Sequence, residues 1–131
     1  MKIKLTKTKA TLLAVLVLMS FSMVANAASY GFTYNFKHQL AMNSKKTATR
    51  SSATFDVHTS SNSGNDTYFT IQQYEYKFIG TNPYITSENV DCRANKSDSC
   101  SFSTTKGTSY TYEFWKPTAI GYVIGSGELT Y

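Results

Sequence analysis

Tyr30, Phe32, Tyr34 and Phe36 alternate with Gly31, Thr33 and Asn35. Side chains two residues apart share a face of an extended chain, so this run predicts a strand with one buried aromatic face and one polar face. The same period recurs further on. A second strand is expected over 49–58, with Ala53, Phe55 and Val57 inward and Thr54, Asp56 and His58 outward. From Cys100 the pattern is that of a hairpin: Cys100, Phe102 and Thr104 alternate, Lys106-Gly107 turns the chain, and Tyr110, Tyr112 and Phe114 alternate on the return.

The stretch 67–79 is expected to be the longest strand, and its phase changes midway. Phe69 and Ile71 share one face, whereas Tyr74, Tyr76 and Phe78 share the other, with the switch at Gln72-Gln73. A β-bulge there, aiming both groups into one core, is the favoured expectation; a central strand apolar on both sides is the alternative. The polar run 59–66 predicts a loop and 80–83 a turn. Short strands follow at 84–86 and 89–92, and a loop at 93–99. Pro117 ends the strand before it. The last strand, 119–131, should bulge or bend at Gly125-Ser126-Gly127. Ten tyrosines, eight phenylalanines and an excess of Ser, Thr and Asn favour strands over helices. The expected fold is all-β, an antiparallel two-sheet sandwich of seven or eight strands, with a small barrel as the alternative.

Lys2, Lys4, Lys7 and Lys9 precede an apolar run from Leu12 to Val24, and Ala25-Asn26-Ala27 supplies a small-x-small cleavage pattern. Residues 1–27 are therefore expected to be a secretory signal peptide, and 28–131 a single exported β-domain, extracellular or periplasmic. The apolar run of about 13 residues is shorter than the roughly 20 that span a bilayer as a helix. Four of the 13 basic residues lie in that leader, so the remainder carries nine basic and eight acidic residues, a net charge of +1. Scattered basic residues at this balance make no stripe for a polyanion, which argues against nucleic acid as a partner. Cys92 and Cys100 are an even pair in an exported chain, and a disulfide is the expected state.

Asp56 and His58 share a strand face at the spacing where a carboxylate orients an imidazole, but no Gly-x-Ser-x-Gly elbow is present and the plain reading is a wetted face. A nuclease-like pairing would join His58 to Glu75 or Glu113, with Arg93 or Lys77 against phosphate. Asn62, Asn65 and Asp66, or Asp91, Asn95 and Asp98, offer oxygen ligands without the spacing of a calcium loop, so neither metal nor cofactor is expected. The aromatic residues are the better lead. Tyr74, Tyr76, Tyr110, Tyr112 and Trp115 are the candidate binding residues, because Tyr and Trp suit surfaces that are apolar on the body and polar at the tip.

The leader, the first strand Tyr-Gly-Phe-Thr-Tyr-Asn-Phe at 30–36, the Tyr- and Thr-rich hairpins and the Gly-Ser-Gly at 125–127 resemble small exported bacterial β-sandwich proteins of uncharacterised function. More loosely, the chain looks like the β-sandwich lactococcin-type bacteriocins, departing from them in length and in Cys92 and Cys100. No functional residue is carried over from either. The resulting expectation is a secreted, non-enzymatic protein that binds a cell-surface polymer, an envelope component or a protein, with a bacteriocin- or toxin-like role as one form of it. The alternatives are a small extracellular hydrolase of cell wall, glycan or RNA, and a self-assembling structural protein that adds strands through 30–36 or 119–131.

Overall fold

Alternating apolar residues become strands throughout the computed structural model, which describes residues 27–131. The expected leader lies outside the described residues except for Ala27. In chain order the strands are β1 (Ser29–Phe36), β2 (Gln39–Ala41), β3 (Lys46–Thr47), β4 (Ser52–Asn62), β5 (Tyr68–Glu75), β6 (Tyr84–Asp91), β7 (Lys96–Ser103), β8 (Ser109–Trp115) and β9 (Val123–Thr130). No helix occurs among the described residues. Two antiparallel sheets form, one ordered β1-β9-β4-β7 and the other β2-β8-β5-β6, with β3 also paired to β8.

The inward faces of the two sheets meet in an aromatic core. Phe32, Tyr34 and Phe36 of β1 and Phe55 of β4 face Phe69 of β5 and Tyr112 and Phe114 of β8. The closest ring pair across the sheets is Phe55 with Tyr112, at 4.8 Å between centroids and edge-on. Phe36 and Tyr34 each meet Phe69 edge-on at 5.5 Å. Pairs in this geometry add about 0.5–1.5 kcal/mol each to the burial of their area.

Gly125 and Gly127 do not bend β9; its register with β1 runs unbroken from Ser29↔Thr130 to Phe36↔Val123. They make room for rings instead. A Cβ at Gly125 would lie 2.4 Å from the Tyr34 ring, and one at Gly127 2.6 Å from the Phe32 ring, because these aromatic side chains lie flat over the glycines opposite them. The irregularity in this sheet falls in β4, between Thr59 and Ser61.

Several boundaries differ from expectation. β4 continues through the first half of the polar run to Asn62, because Ser61 and Asn62 pair with Ile124 and Val123. Segments 84–86 and 89–92 merge into the single strand β6, and β7 begins at Lys96 inside the expected loop. In β5 the favoured bulge is absent: Phe69, Ile71 and Gln73 keep a strict inward phase, and Tyr74 stays outward. The skipped residue is on the partner strand, where Gln73 pairs with Thr86 and Tyr74 with Tyr84, leaving Ile85 unmatched. β5 is thus an interior strand of its sheet, as in the alternative reading.

The expected disulfide is not formed; Cys92 and Cys100 are free thiols. The two lie on different sheets: Cys92 follows the end of β6, and Cys100 sits in β7 opposite Phe55 of β4. The Cys92 thiol is directed instead to the Asp66 carbonyl, at 3.4 Å. Burial pushes the Cys92 thiol up to about 11 and the Cys100 thiol up to about 12.

Strand addition through 119–131 is also corrected, since β9 has β1 on one side and β4 on the other. Among the described residues, β1 keeps one open edge.

Candidate binding surface

The outer face of the second sheet is built from the outward residues of β2, β8, β5 and β6, which register places in rows. Gln39, Trp115, Thr70 and Asn89 form one row; Ala41, Glu113, Gln72 and Ser87 the next; Thr111, Tyr74 and Tyr84 the third. Neighbours within a row stand about 5 Å apart, and rows about 7 Å apart. Trp115 is therefore about 13 Å from Tyr74, at the other end of a shallow polar floor.

The side chains of this face hold one another in place. Glu113 Oε2 accepts from Trp115 Nε1 at 3.1 Å and from Gln39 Nε2 at 3.3 Å. His38 packs edge-on against the indole at 5.5 Å. At the opposite end, Tyr74 and Tyr84 meet edge-on at 5.8 Å. The Tyr74 hydroxyl donates to Gln72 Oε1 at 2.7 Å, and the Tyr84 hydroxyl donates to Ser87 at 3.2 Å. Burial, with a smaller contribution from Glu113, raises the Tyr74 hydroxyl above its ordinary value, so it remains a neutral donor. Two aromatic stations with amide, carboxylate and hydroxyl groups between them are suited to a flat, hydroxyl-rich ligand.

The five candidate residues divide. Tyr74 and Trp115 belong to this face, half-buried. Tyr76 lies just past the end of β5, with the Lys45 ammonium 4.5 Å above its ring. Tyr110 and Tyr112 are corrected to core: both are buried on the face of β8 that carries Phe114. Burial pushes the Tyr112 hydroxyl up to about 12. Tyr84 and Gln72 were missed, although the outward phase of Tyr74 was the signal that leads to both.

The outer face of the first sheet holds Asp56 and His58 beside Ser97, Ser99, Ser126 and Glu128, lining an open groove of 570 Å³. His58 Nδ1 lies 2.8 Å from Ser97 Oγ. Glu75 and Glu113 belong to the other sheet, so the molecule's thickness separates them from His58 and the expected acid–base pairing does not assemble. The phosphate-facing cations are occupied as well: Lys77 pairs with Glu75, and Arg93 Nε bonds both oxygens of Asp91 at 3.1 and 3.0 Å. Those bonds hold the Asp91 carboxyl down at about 2.

The two oxygen-rich loops are committed internally. Asn62 Nδ2 donates to the backbone oxygens of Asp66 and Cys92, both at 2.8 Å, and its Oδ1 accepts from the Gly64 amide. Asp66 Oδ2 accepts from Thr118 at 2.9 Å. Asp98 accepts from the amides of Asp91 and Ser99.

No protein-family model and no curated protein matches the chain. Among solved structures, it is similar to the mitogen derived from Yersinia pseudotuberculosis, at 10% identity and a TM-score of 0.43, covering 79% of this chain and 84% of that one. It is also similar to a structure from the Gx strain of infectious bursal disease virus, at 13% identity and a TM-score of 0.40, covering 80% of this chain and 30% of the viral one.

Proposed function

We propose that this chain is an exported, non-catalytic binding protein, and that the outer face of its second sheet takes a cell-surface polymer rich in sugar hydroxyls. The observation that carries this reading is the pair of aromatic stations, Trp115 with His38 and Tyr74 with Tyr84, separated by Gln72 and Glu113. Rings supply flat apolar area at low entropic cost, and the fixed amide and carboxylate groups between them supply directional hydrogen bonds. A bacteriocin- or toxin-like role is one form of this reading, in which wall binding brings the protein to a target cell.

Sedimentation with purified bacterial sacculi tests it. Saturable co-sedimentation is expected, weakened at least about tenfold by Trp115→Ala with Tyr74→Ala, the size expected for two contact rings worth about 1 kcal/mol each. Undiminished binding by a cooperatively folded double variant removes this face, and release of soluble wall fragments replaces the reading with a hydrolase.

A further inference from the structure

The basic residues are dispersed along the sequence, but the topology gathers five of the nine beyond the leader at one end of the molecule. Segment 45–50 lies along the 104–109 turn: the Ala48 amide donates to Thr108, Gly107 donates to Ala48, and Thr104 Oγ1 donates to the Arg50 carbonyl at 2.7 Å. The β5–β6 hairpin joins them through the Tyr76 amide, which donates to the Ser109 carbonyl at 2.9 Å. Lys45, Arg50, Lys77 and Lys106 are all exposed here, with Lys46 buried beneath them against the Tyr30 ring. Of the acidic residues in the hairpin, Glu75 is the one beside this turn, and it pairs with Lys77, while Glu88 and Asp91 lie toward the other end of β6.

The same end carries the most exposed apolar side chains among the described residues. Phe78 is 88% and Ile79 85% exposed at the hairpin tip, with Tyr84 and Ile85 behind them. The tip is held firmly. The Lys77 amide donates to Asn82 Oδ1 at 2.8 Å, and the Glu75 amide donates to the Pro83 carbonyl at 3.0 Å. Adjacent apolar side chains presented on a braced turn inside a ring of cations match a surface with an apolar interior and an anionic rim.

We propose that this end of the molecule docks on an anionic lipid bilayer, with Phe78 and Ile79 entering the headgroup boundary and Lys45, Arg50 and Lys106 facing the lipid phosphates. The surface lies at the end of the strands and meets the proposed polymer-binding face at Tyr84, which the variants below leave in place, so either assignment can fail without the other.

The test reads the tip itself. The full chain carrying Phe78→Trp and Trp115→Phe is mixed with vesicles of phosphatidylcholine containing about a third phosphatidylglycerol, with brominated acyl chains as quencher. A blue shift and quenching of the new indole are expected. Both should vanish with phosphatidylcholine alone and in about 0.5 M sodium chloride, where the Debye length falls to about 4 Å. Arg50→Gln and Lys106→Gln should each weaken binding about fivefold, the equivalent of about 1 kcal/mol per charge. A control with Ile120→Trp and Trp115→Phe reports the opposite end and should stay unquenched. Absence of quenching at position 78 in folded protein, or equal quenching at positions 78 and 120, overturns the proposal.

Discussion

Lys116 Nζ lies 3.5 Å from Asp66 Oδ2, with the two side chains 0% and 5% exposed. The ammonium also donates to the carbonyls of Ile120 and Gly121, both at 2.9 Å, so one buried cation fastens the loop between β8 and β9 onto the turn between β4 and β5. Removing one partner of a buried pair strands the other charge away from water, typically at about 3–5 kcal/mol. Lys116→Met is expected to lower stability by about 3 kcal/mol in urea unfolding, with Asp66→Asn/Lys116→Met less destabilised than the single change.

The same junction forbids a side chain at its centre. Gly121 has φ +68°, and a Cβ there would lie 2.3 Å from the Gly64 amide nitrogen. Gly121→Ala therefore combines backbone strain with a backbone clash and is expected to cost more than about 2 kcal/mol. Gly31→Ala, in open space on β1, should leave the melting temperature within a few degrees of the parent. Equal melting temperatures for the two variants would contradict the packing described.

Gln73 is a polar residue inside the core whose Oε1 has no partner among the described residues, while its Nε2 donates to the Ser103 carbonyl at 3.2 Å and lies 3.5 Å from the Tyr112 hydroxyl. A half-satisfied buried amide is worth less than an apolar side chain of similar volume. Gln73→Met with Tyr112→Phe removes the orphan and its neighbour together and is expected to stabilise by about 1 kcal/mol, read by chemical denaturation.

Alkali should weaken the fold before it reaches the tyrosines of the unfolded chain. The Cys92 and Cys100 thiols hold their protons up to about 11 and about 12 when folded, against about 9 when exposed. Between these values the unfolded state binds fewer protons than the folded one, so stability is intact below pH 9 and falls as pH rises, by up to about 1.4 kcal/mol per unit for each thiol. The lowered Lys46 ammonium opposes this with a single group. Replacing both cysteines by Ala should flatten the decline. At pH 8 the native thiols should react with a disulfide reagent far more slowly than after denaturation, when two react per chain.

Alternation made β1, the inward face of β4 and the β7–β8 hairpin legible, because a period of two fixes which side chains share a face. It also placed Tyr110 and Tyr112 beside Phe114, and that phase outweighs any count of surplus aromatics. What one strand's pattern cannot carry is its neighbour's level. The Cys92–Cys100 bridge was expected from number and compartment, and neither carries the placing of β6 and β7 in different sheets, with the Cys92 thiol turned to the Asp66 carbonyl. The cationic end, the separation of His58 from Glu113, and the rings lying over Gly125 and Gly127 depend on strand order, which no local spacing encodes.

The position of β9 governs when this protein exists as a fold. The last strand of the chain lies between β1 and β4, and Ala28 and Tyr131 exchange backbone hydrogen bonds at 2.9 and 2.8 Å. Without β9 the first sheet is two unjoined halves, β1 alone and β4 with β7, and each half shows the other an unpaired ladder. Closing that sheet brings together segments about a hundred residues apart, so it is the slow, long-range step that commits the chain to its fold.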